Sequence, residues 1–227
     1  MSTIVLDTSV LVPDFRLRGQ VFRAVLRTAQ DLRDHICLPK IVVDELINKF
    51  REQLQSSCDS LRRYEGKIRD LTGTHIDEGR IGVSEQVVIY SDWLQSELSK
   101  NQIESIHYPS VSHESLVKRA LARRKPFCPE GQRGYRDAIL WETILKQSRA
   151  HRHEVLFVSK NMRDFADPGN SHRLHPHLIE DLHSLRHDEA SVVWLNKAAG
   201  STPLKWLRLG VYCTARYGHC LQPQERL

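Results

Sequence analysis

The sequence predicts an α/β fold with a parallel sheet covered by helices on both faces. Two observations carry that prediction: short runs of strand-forming residues recur along the chain, and helix-patterned segments separate them. Such alternation is the signature of strand–helix–strand units. A third is VLFVS at 155–159, an apolar run that reads as a buried strand.

Taken in order, TIVLDTSVLV at 3–12 gives a first strand with Asp7 in its middle, and Val21, Val25 and Leu26 space a helix over 20–31. HICLP at 35–39 gives a second strand, and Pro39 opens a helix where its missing N–H costs nothing. That helix runs KIVVDELINKFREQL and extends through Leu54, Leu61 and Ile68. Residues 72–84 are polar and contain glycine, hence a loop. Helices follow over 85–100, over 112–124 (ending KRALARRK) and over 135–148, with a short segment at 103–108 able to extend. A loop-rich stretch after VLFVS leads to a helix near 178–186, and SVVWL at 191–195 is the last strand. Residues 1–195 are read as one domain, with 196–227 as a C-terminal extension.

Bulk properties narrow the class. A 227-residue chain that is 40% hydrophobic and 27% charged can bury a core, which excludes disorder as the default. A net charge of +5 is compatible with a polyanionic partner without requiring one. The five cysteines form no Cys-x-x-Cys pair and read as reduced thiols. The N-terminus shows no signal-peptide pattern, and no apolar run approaches the roughly 20 residues of a membrane span, so a cytoplasmic protein without a membrane role is expected.

Asp7 stands where a carboxylate is expensive unless solvated, paired or bound to a cation. Other acids point the same way. On a helix turning about 100° per residue, Glu45 projects between Ile41 and Val42 on the apolar side, whereas Asp44 faces the polar side beside Asn48. Asp137 falls among Leu140, Trp141 and Ile144 in the first turn of its helix. Asn161 and Asp164 come off the carboxyl end of the strand at 155–159. Each acid alone suits a cap or a turn. Four of them on separate elements suit a cluster whose mutual repulsion Mg²⁺ or Mn²⁺ would relieve, the chemistry of phosphodiester hydrolysis.

Four blocks in order carry a resemblance: IVLDTSVLV, PKIVVDELINKF, YRDAILWETIL and VLFVSKNMRDF. Together they resemble the PIN domain, the nuclease fold of many bacterial toxin–antitoxin ribonucleases and of eukaryotic RNA-processing factors. The last block matches the family's Thr-x-Asn-x-x-Asp-Phe pattern with Ser159 in place of threonine. KPF followed by GYRDAILWE is similar to a PIN-like subgroup. The resemblance implies a three-layer α/β/α fold, dependence on Mg²⁺ or Mn²⁺, and cleavage of RNA. It places Asp7, Glu45, Asp137 and Asp164 as the catalytic and metal-binding acids, with Thr8, Ser159 and Asn161 in support. DNA or structured nucleic acid would be served by the same chemistry, and a module that binds RNA or protein without cutting is the alternative. An antitoxin or other protein partner, and a homodimer, stay open.

The span between Glu45 and Asp137 is longer than small PIN toxins need, so 52–125 reads as a helical insertion. Its end holds Lys118, Arg119, Arg123, Arg124 and Lys125, a solvated face or a clamp on the phosphate backbone, with Arg133 and Gln132 following near Asp137. The histidines at 172, 175, 177, 183 and 187 match no metal-ligand spacing. Asp7-Thr8-Ser9 lacks the second aspartate of aspartyl-phosphate phosphatases, and neither a phosphate-binding glycine loop nor Gly-x-Ser-x-Gly is present.

Overall fold

The computed structural model describes residues 2–74, 81–150, 155–185 and 192–195. Five parallel strands form the central sheet: β1 (Thr3–Leu6), β2 (His35–Pro39), β3 (Glu104–Ile106), β4 (Val155–Val158) and β7 (Val192–Leu195), in the order β3-β2-β1-β4-β7. Helices flank the sheet: α1 (Thr8–Leu11), α2 (Gln20–Leu32), α3 (Lys40–Thr72), α4 (Val83–Lys100), α5 (His113–Leu121), α6 (Tyr135–Ala150), α7 (Met162–Phe165) and α8 (Pro176–Ser184). The result is the expected three-layer α/β/α arrangement.

The strands are short and apolar because parallel strands covered on both faces have no solvent side. Ile4, Val5, Leu6, Leu38 and Phe157 are at most 1% exposed. Trp141 and Ile144 of α6 and Leu178 of α8 pack into the same core. Because β1 is central and the chain adds strands on either side of it, the order reverses between β1 and β4. In open parallel sheets the crevice beyond the carboxyl ends at such a reversal is where sites form. Leu6 pairs with Val158, so Asp7 and Ser159 are the next positions on adjacent strands at that crevice.

Several expectations need correction. The first strand does not run to residue 12: it stops at Leu6, where its partner β4 stops, and Thr8–Leu11 turns into α1 with Leu11 in the core. The helix expected to reach Arg124 ends at Leu121, because Arg123 takes a left-handed conformation (φ 52°) that breaks it. The loop-rich stretch after β4 holds an antiparallel hairpin, β5 (Ala166–Asp167) with β6 (Asn170–Leu174).

The span 52–125 is helical over most of its described length and joins the core. Within it α4 buries Val87, Tyr90, Leu94 and Leu98, Tyr90 stacks on Phe50 with ring centroids 4.0 Å apart, and β3 extends the sheet by pairing with β2. The distal part of α3 leaves the layers, where Tyr64 is 64% and Leu71 is 86% exposed. Arg186, His187, Ser191 and the extension 196–227, with Cys213 and Cys220, lie outside the described residues. Among the described residues no helix is long and apolar enough to cross a membrane.

Candidate active site

Asp7 is the first residue beyond β1. Its backbone N–H donates to Val158 O at 3.0 Å, one more rung between the two central strands, and its extended conformation (ψ 154°) starts α1. The residue is 5% exposed. Both Ser9 Oγ and Ser159 Oγ donate to Asp7 Oδ2 at 2.5 Å. Each hydroxyl in turn accepts a backbone N–H, Lys160 on Ser9 and Asn161 on Ser159, both at 2.9 Å. The two hydroxyl protons are thereby aimed at the carboxylate. Burial nevertheless prevails and holds the Asp7 carboxyl above its ordinary range, with the Glu45 charge adding to it and the two serines opposing it.

Glu45 comes from the second turn of α3, where the helical angle turned it inward. Its Oε2 accepts Thr8 Oγ1 at 2.8 Å, and its Oε1 pairs with Arg136 at 2.5 Å. Asp44, one residue away, faces out to Lys40 at 2.5 Å and Tyr108 at 2.8 Å, as its angle required.

Asp137 lies in the first turn of α6, and its Oδ1 accepts Asn161 Nδ2 at 3.0 Å. Its carboxyl is pushed up to about 7. Burial is the largest cause, followed by the negative charges of Asp164, Asp7 and Glu45, with the Asn161 hydrogen bond opposing them. The other three acids therefore all act on Asp137. Asp164, third in the four-residue α7, is 2% exposed. Arg163 reaches its Oδ2 at 3.0 Å, and Lys125 Nζ stands 3.6 Å from its Oδ1.

Four carboxylates from four distant segments thus meet at the carboxyl end of the sheet. A family model for the PIN domain matches residues 4–165. The chain belongs to the PIN domain family. PIN domains as a family are nucleases, act on nucleic acid and typically use divalent metal ions. No curated protein and no solved structure matches the chain.

The PIN domain match spans all four acids and their supporting residues Thr8, Ser159 and Asn161. Ser9 and Arg136 were not singled out from the sequence. Ser9 entered only as the place a phosphatase aspartate would hold, yet Asp7 is the extended residue that starts α1, which leaves its carboxylate over the first turn within reach of Ser9. Arg136 was visible only as the neighbour of Asp137.

The basic residues divide. Lys118 pairs with Glu114 on its own helix at 2.6 Å. Arg119 and Arg124 go to Asp181 of α8, at 2.5 and 3.1 Å, and Arg124 also reaches Glu180 at 3.0 Å. These two staple α5 and the following turn to α8. Arg123 and Arg133 are exposed. Lys125 alone of the run reaches the acids.

The donor set suits a hard cation, since it consists of carboxylate oxygens that raise one another's proton affinity. Among the described residues no three His, Cys, Asp or Glu side chains stand close enough to share one ion. Mg²⁺ is commonly held by one or two carboxylates, with water and phosphate completing its shell. Asp7 and Asp137, which take only neutral side-chain donors here, fit that form.

Proposed function

We propose that this PIN domain is a divalent-metal-dependent endoribonuclease that hydrolyses RNA phosphodiester bonds, with Mg²⁺ or Mn²⁺ as cofactor. The observation that carries the reading is the meeting of Asp7, Glu45, Asp137 and Asp164 where the strand order reverses, with Asp137 pushed up to about 7 in part by the other three charges.

In this reading Asp7 and Asp137 hold the ion, Asp164 completes the acidic wall and Glu45 faces the attacking water. The bound ion would acidify that water and stabilise the charge that develops on the phosphate. The protein's own part is to hold the oxygens still. Ser9 and Ser159 fix one oxygen of Asp7, Asn161 fixes one of Asp137 and Thr8 fixes one of Glu45. Glu45 is the open edge of the cluster: its side chain is 20% exposed, and Arg136 beside it is 55% exposed. Arg136 and Arg163, both exposed and both resting on site carboxylates, stand where they could turn to a phosphate without crossing the core.

The test is incubation with matched RNA and DNA oligomers in Mg²⁺, Mn²⁺ or chelator. Metal-dependent cutting of RNA is expected. Equal cutting of DNA would widen the substrate class, and RNA binding without cutting under any metal would replace the nuclease reading with a binding module.

A further inference from the structure

The basic run that ends at Lys125 has a destination inside the protein. Arg119 Nε donates to the Lys125 carbonyl oxygen at 2.8 Å, and the Lys125 N–H donates to His177 Nδ1 at 3.2 Å. Arg119 is itself held by Asp181, whose Oδ2 also accepts Trp141 Nε1 at 2.9 Å. The Lys125 backbone is thus gripped from two sides by groups anchored on α5, α6 and α8. Its side chain, 15% exposed, runs into the acidic cluster. There Nζ donates to the Arg163 carbonyl oxygen at 2.7 Å and stands 3.6 Å from Asp164 Oδ1.

This divides the four acids into two kinds. Asp164 and Glu45 each face a cation already, Lys125 with Arg163 on one and Arg136 on the other. Asp7 and Asp137 take neutral donors, the two serine hydroxyls and the Asn161 amide. A lysine this buried is stable only where its charge is answered, and the charge it offsets on Asp164 no longer draws a divalent ion to that carboxylate. Arg163 is 75% exposed and can leave Asp164 at little cost, whereas the Lys125 side chain is 15% exposed and its Nζ is also held by the Arg163 carbonyl oxygen.

We propose that Lys125 is a resident cation of the acidic cluster: it occupies the Asp164 side and limits the site to one divalent ion, held on the side of Asp7 and Asp137. The proposal rests on the reading of the cluster as a divalent-cation site. Lys125 is a positioning residue in this scheme, since it acts through Asp164 and not on the scissile phosphate.

The test is titration of the full chain with Mn²⁺ alone, read by calorimetry and by the electron paramagnetic resonance signal of free Mn²⁺. Wild type is expected to take one ion per chain, Lys125→Met two, and Lys125→Arg, which keeps the charge, one. Lys125→Gln supplies the neutral comparison if the methionine variant fails to fold. Two ions in wild type, or one ion in both neutral variants, would overturn the role of Lys125 and leave the cation reading standing. No uptake by wild type would remove the cation reading itself.

Discussion

A carboxyl group that is buried, with other carboxylates beside it, holds its proton more tightly, and Asp137 does so up to about pH 7. The unfolded chain releases that proton near the ordinary 3.8, so between these values the folded metal-free protein binds a proton that the unfolded one has shed. Stability from this group is complete below about pH 4 and is lost as pH rises through about 7. Asp137→Asn should flatten that part of the profile, by up to a few kcal/mol across the window, in thermal melts of metal-free protein. A cation competes with the same proton, so Mn²⁺ affinity should climb by up to about tenfold per unit toward pH 7 and level off above it. A flat affinity profile from pH 5 to 8 would contradict this. At this scale the sequence was informative where direction follows from position: the helical angle separated Glu45 from Asp44, and the end of the strand at 155–159 placed Asn161 and Asp164. It was silent on Arg136, Arg163 and Lys125 as partners of the acids, because long side chains choose partners across loops that no periodicity encodes.

Between elements, the joint that places Lys125 is Asp181. It receives Arg119, Arg124 and Trp141 Nε1, and its side chain is 15% exposed while that of Arg119 is 10% exposed. Removing one partner of a buried pair leaves the other charge unanswered. Asp181→Ala should therefore cost about 3–5 kcal/mol in urea unfolding. Exposed Glu180 should be different: Glu180→Ala should cost about 1 kcal/mol or less. Equal losses would mean that the staple does not run through Asp181. Most of the elements were legible from hydrophobic spacing, including both ends of β2 and α6 as a strongly apolar helix. The first strand was overrun because TSVLV has strand-forming residues whose partner strand ends at Val158, a fact about register and not about composition.

For the whole molecule, alternating strands and helices were enough to predict the three layers, and the four motif blocks named the family. Within the span 52–125, Val87, Tyr90, Leu94 and Leu98 form an apolar row at helical spacing that ties the helix at 83–100 to the core. The structure predicts a sharp contrast along this region. Leu94→Ala, at a fully buried position, should cost about 2–5 kcal/mol. Leu71→Ala, at 86% exposure on the distal part of α3, should stay within about 0.5 kcal/mol. Denaturant unfolding of the two variants checks it, and comparable losses would place distal α3 within the core. The central claim concerns the cluster that this architecture assembles, and cleavage of a mixed RNA pool in Mn²⁺ tests it most directly. Wild type should cut, and folded Asp7→Asn and Asp137→Asn should each lose at least about 100-fold in rate, given the several kcal/mol a metal supplies. Cutting by either variant at the wild-type rate would contradict the account.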